Sequence, residues 1–127
     1  DTNPQSLGDG VVNLQAVYGV AAPGSTSNVI DDWVHPVGAW SAGTLMDGSA
    51  DSAALIDRIR AIRVVMVTRS ALPERDPVSP DEYTVFADDE SLTFTIERDT
   101  DARKYRYRVF DEIVPVRNKL LPPTPLP

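Results

Sequence analysis

The stretch from residue 60 to residue 69, RAIRVVMVTR, constrains this chain more than any other. At period two it puts Ile62, Val64, Met66 and Thr68 on one face and Ala61, Arg63, Val65, Val67 and Arg69 on the other. A strand at a sheet surface shows one apolar face. Here the middle is apolar on both, the pattern of a strand covered on both sides, so a central strand is predicted. The residues before it read differently. DGSADS at 47–52 offers Ser49, Asp51 or Ser52 as a helix N-cap. Residues 53–59 then carry Leu55, Ile56 and Ile59 as a helical stripe, so the change from period 3.6 to period two falls near Arg60.

Other alternating stretches supply partners for that strand. In VVNLQAVYGV, residues 11–20, Val12, Leu14, Ala16, Tyr18 and Val20 share a face. YTVF at 83–86 and SLTFTIE at 91–97 are short strands separated by an acidic turn, with Leu92, Phe94 and Ile96 inward. KYRYRVF at 104–110 sets Tyr105, Tyr107 and Val109 against Arg106, Arg108 and Phe110, and EIVPVR at 112–117 continues after a bulge at Asp111. Pro115 cannot donate a ladder hydrogen bond, so this end belongs at a sheet edge or a break. The expected fold class is α+β: an antiparallel sheet of four to five strands with one short helix near 52–60. Its core is expected at Leu14, Tyr18, Ile62, Val64, Met66, Phe94, Ile96, Tyr107 and Val109. A length of 127 residues fits one hydrophobic core better than two. The expected organisation is a flexible lead-in over 1–10, a single globular domain over 11–118 and a Pro-rich tail over 119–127.

Composition removes several functions. The net charge of −7 argues against a general nucleic-acid binder, which needs a basic face. The basic run Arg103, Lys104, Arg106 and Arg108, interleaved with Tyr105 and Tyr107, reads as a strand whose arginines pair with Glu97, Asp99 or Asp101. Cysteine is absent, which excludes disulfides and thiolate chemistry. The single histidine, His35, stands beside no nucleophile elbow, so no catalytic residue is assigned. The acidic turns containing Asp47 and Asp51, and Asp88 and Asp89, are weak calcium candidates, because neither has the ligand spacing of an EF-hand loop. Trp33 and Trp40, in an irregular segment with Pro36 and Gly38, are candidate ligand-contact aromatics if they share an exposed groove. No apolar run approaches a membrane span, and no cofactor motif is present.

Three stretches in succession carry a resemblance. They are Val12-Asn13-Leu14-Gln15-Ala16-Val17-Tyr18-Gly19-Val20; Trp33-Val34 with Gly38-Ala39-Trp40 and then residues 59–70; and Tyr105-Arg106-Tyr107-Arg108-Val109-Phe110 running to Val114-Pro115-Val116-Arg117-Asn118. Together they resemble the C-terminal region of PilW-type minor pilins, which are similar to the minor pseudopilin J of type II secretion. The resemblance spans residues 9–120. It implies a β-rich pilin head without a cofactor, and a structural part in type IV pilus assembly or initiation through other minor pilins. It also implies a place in the periplasm or the surface pilus, with inner-membrane anchoring before assembly. That anchoring would run through an N-terminal hydrophobic helix that these residues do not include. A ligand-binding or adhesive module is the alternative.

Overall fold

The computed structural model describes residues 10–116, apart from the side chains of Phe94 and Ile96. The expected lead-in at 1–10, all but Gly10, and the expected tail at 119–127 lie outside the described residues, as do those two side chains. Among the described residues six strands and two α-helices follow in order, with single 3-10 turns at Gly38–Trp40 and Ala102–Lys104. They are β1 (Val11–Val20), β2 (Asp32–Val34), α1 (Ala42–Leu45), α2 (Ala50–Arg58), β3 (Ile59–Arg69), β4 (Glu82–Val85), β5 (Phe94–Glu97) and β6 (Tyr107–Pro115). Four strands form one sheet in the order β2-β1-β3-β6, and β4 and β5 form a separate antiparallel pair. The fold is α+β with a four-stranded antiparallel sheet.

Hydrogen bonds at the strand ends show the directions. Arg69 N–H donates to Gly10 O at 2.8 Å, and Ala21 N–H donates to Arg58 O at 2.9 Å, so β1 and β3 run oppositely. Ser70 N–H to Arg106 O and Val116 N–H to Arg60 O do the same for β3 and β6. As predicted, β3 is central, with β1 on one side and β6 on the other. Helix α2 starts where a cap was expected: Ser49 Oγ accepts from Ser52 N–H at 3.1 Å. It passes without a loop into β3.

The chain divides into two compact units, Asp1–Gln15 with Val65–Asp111, and Ala16–Val64 with Glu112–Pro127. In the first, the buried apolar side chains are Val65, Val67, Val85, Phe86 and Leu92. In the second they are Val17, Val20, Ala21, Leu45 and Ala61, beside buried Ser52, Arg60 and Arg63. The expected core needs correction. On β3 the odd-numbered side chains Ala61, Arg63, Val65 and Val67 are buried, while Ile62, Val64 and Met66 are half-buried. Leu14 is 62% exposed and Val109 50%, and Tyr18 and Tyr107 are half-buried. With apolar residues on both faces of β3, alternation fixes the two faces but not which is covered more completely.

Arg60, on this buried strand, is 5% exposed and hydrogen-bonds three backbone carbonyls. Its Nε donates to Ser27 O at 2.8 Å, Nη2 to Ser25 O at 3.0 Å, and Nη1 to Asp57 O. The side chain thereby joins the 21–28 loop to the last turn of α2, where the helix carbonyls favour a cation. Phe86, also buried, closes β4 with φ +54. This left-handed conformation is costly for a bulky residue. It is held by a tight turn: Asp89 N–H donates to Phe86 O at 3.0 Å, and Thr93 Oγ1 lies 2.7 Å from the same carbonyl.

Gly19 is fixed by lack of space. A Cβ there would stand 2.9 Å from the Trp33 ring and 3.0 Å from Ile30 Cδ1. Gly19→Ala is expected to destabilise the protein by about 1–3 kcal/mol through overpacking. A thermal melt checks this; an unchanged melting temperature would mean that the ring can move aside freely.

Candidate interaction surface

The aromatic residues singled out from sequence lie on opposite faces of the sheet. Gly19 pairs with Trp33 across the β1–β2 ladder, and the indole covers the face to which a Gly19 side chain would point. Tyr18, one residue earlier, points to the other face. There its ring stands 6.5 Å from that of Trp40, and the Arg58 guanidinium covers Trp40 at 5.2 Å. Both tryptophans are half-buried. This arrangement places the two indoles on opposite faces and not in one groove. His35 is half-buried just after β2, and its carbonyl accepts from Val37 N–H.

The acidic candidates serve their own turns. Asp47 Oδ1 accepts from Ser49 N–H at 2.8 Å, and Asp89 Oδ1 accepts from Ser91 N–H at 2.9 Å and Ser91 Oγ at 2.7 Å. Asp51 is exposed in the first turn of α2, and Asp88 is exposed after β4. Among the described residues, no three His, Asp or Glu side chains gather closely enough to hold a metal ion. The Ser49 backbone N–H, followed by the Ser49 and Ser52 hydroxyls, holds the Asp47 carboxyl below its ordinary 3.8. A carboxyl whose folded value is lowered contributes stability in full above its unfolded value and loses it as pH falls through the folded one. The turn before α2 is therefore expected to loosen as pH falls below about 3.8. Asp47→Asn should remove that component, and side-chain NMR titration of Asp47 checks it. A midpoint at or above the ordinary value would contradict this.

A second cluster was not anticipated. Arg98, just after β5, lies 4.6 Å from the Tyr83 ring centroid and 4.3 Å from that of Tyr107, and the two rings are 6.1 Å apart. Its Nη1 donates to Ser79 Oγ at 3.3 Å, while its Nε is buried without a hydrogen-bond partner among the described residues. Arg103 Nε donates to Ser79 O at 3.0 Å, and Tyr107 Oη to Ala102 O at 2.8 Å. Burial raises the Tyr83 hydroxyl above its ordinary 10.0, against the pull of Arg98. Beside the cluster opens a cleft of about 300 Å³ walled by Val78, Pro80 and Val109, with Arg106 also lining it. Arg106 pairs with Glu74 at 3.0 Å, and Lys104 with Asp101 at 3.3 Å. The carboxylate found for Arg106 is thus Glu74 in the Pro-rich loop, rather than one of the three acids expected. A cationic strand in an acidic chain was the available signal; its partner depends on tertiary structure.

Strand β6 takes the last place in the sheet order, and its apolar side chains are open to solvent. Val109, Phe110, Ile113 and Val114 are between 45% and 54% exposed. Among the described residues no strand pairs beyond β6, so its outer edge presents backbone groups beside apolar side chains. Among the described residues, no helix is long and apolar enough to cross a membrane.

The family described as type IV pilus-assembly protein W (PilW) matches residues 1–118 of the chain. No curated protein and no solved structure matches it.

Proposed function

Because the chain belongs to the PilW family of type IV pilus-assembly proteins, we propose that it is a minor pilin that performs no chemistry of its own. It takes part in assembly or initiation by contacting other minor pilins. The observation that carries this reading is β6: a nine-residue edge strand with four half-exposed large apolar side chains. Apolar surface gathered on a strand edge favours association with another chain. A subunit of this kind acts in the periplasm and in the pilus, anchored at the inner membrane before assembly.

The test is assembly. Mixed with the head domains of the other minor pilins, the protein should enter a defined hetero-complex by size-exclusion chromatography with light scattering. Deleting its gene should reduce surface pili. Normal pilus numbers in the deletion strain, with no complex in the mixture, would overturn the reading.

A further inference from the structure

We propose that the cleft beside Arg98 and the outer edge of β6 over 107–110 form one docking site for an extended acidic segment of a partner protein. The inference rests on the assembly reading and names the chemistry of the contact. Tyr107 and Val109 alternate on β6, so they share a face, and both line the cleft. A guest strand added along the outer edge of β6 would pair its backbone with that edge. Every second guest side chain would then lie over the cleft, the arrangement of strand-addition complexes.

The charge of the cleft selects the guest. Among the described residues two arginines and no carboxylate line it, in a chain whose net charge is −7, while Asp81, Glu82 and Glu97 stand with Arg98 around a separate neighbouring hollow. Arg98 is held flat by two tyrosine rings; its Nε is buried out of a guest's reach, so a guest carboxylate would meet its Nη atoms where the residue lines the cleft. A guanidinium fixed in this way keeps donors for a carboxylate and has little freedom left to lose on binding it. Arg106 is the second donor. Glu74 already occupies its Nε, as an internal carboxylate that a guest would displace or join. The apolar walls take the β-branched side chains two positions to either side of a glutamate, on the same face of the guest. The matching guest alternates β-branched and glutamate residues.

The experiment uses fluorescence anisotropy with the labelled peptide Thr-Val-Glu-Val-Thr-Val-Glu-Val and its counterpart with Gln for Glu. The acidic peptide should bind about tenfold more tightly than the neutral one, with the difference shrinking as salt is added. Arg106 is two-thirds exposed, so R106E should fold normally, confirmed by its melting curve, and should weaken acidic-peptide binding about tenfold or more. E74Q removes the competing carboxylate and should tighten binding severalfold. Equal affinity for the two peptides, no binding of the acidic one at about 1 mM, or indifference to R106E would overturn the proposal. Full competition by free glutarate or phosphate would overturn the strand-docking part in favour of a small-anion site. If R106E heads still join the other minor pilins while peptide binding is lost, this cleft is not the assembly contact, though the protein remains a pilus subunit. If the unaltered head joins no complex, the assembly reading fails instead.

Discussion

Val65→Asp is expected to abolish soluble folding, whereas Val64→Asp is expected to leave a folded protein with a lower melting temperature. The two residues are neighbours on β3, but Val65 is 1% exposed and Val64 half-buried. A carboxylate at 65 has no route to water; leaving it there unpaired costs several kcal/mol, a large share of the ~5–15 kcal/mol that holds an ordinary domain together. A carboxylate at 64 reaches solvent on the more open face, at a cost nearer 1–2 kcal/mol. Soluble yield and circular-dichroism melts of the two variants decide the matter. Equal behaviour, or a well-folded Val65→Asp protein, would refute the assignment of the buried face.

Arg60→Ala is expected to cost about 3–5 kcal/mol, because it strips three carbonyls of a buried charged donor at once. The carbonyls of Ser25, Ser27 and Asp57 would be left with nothing in place of the guanidinium. Arg60→Lys should recover only part of the loss, because a single ammonium cannot reproduce the spread of a planar fork. At roughly 2–8 °C per kcal/mol for domains of this size range, the Ala variant should melt about 10 °C or more below the parent. Amide exchange should also quicken at 22–28, the loop that the side chain ties down. A melting temperature within about 2 °C of the parent would show that the bonds are replaceable by water.

The elements that could be read from sequence were those fixed by local periodicity and capping. β3 followed from its ten-residue alternation, and the start of α2 from the serines and aspartates at 47–52. β2 was missed because a strand of three residues, Asp32–Val34, is too short to show a period. The hairpin of β4 and β5 was visible as two strands, but its separation from the larger sheet was not, since sheet order is set by contacts far apart in sequence. The same limit hid the Arg98 cluster. Its two tyrosines come from β4 and β6, and nothing local in the sequence brings them together. Arg60 and Arg63 are both buried, against the usual ranking of buried residue types; the hydrogen bonds of Arg60 show how such a residue is accommodated.

Phe86 places two incompatible demands on one position. Its backbone, at φ +54, suits glycine or asparagine, and its side chain fills a buried space that suits a large apolar residue. Glycine would relax the main chain and leave a void of phenyl size; leucine would fill much of the void and keep the strain; β-branched isoleucine would worsen the strain, and valine would worsen it and also leave more of the void. No single replacement satisfies both demands. Sequence drift at this position is therefore blocked unless the turn at 87–93 changes with it, and the two must diverge together or stay as they are.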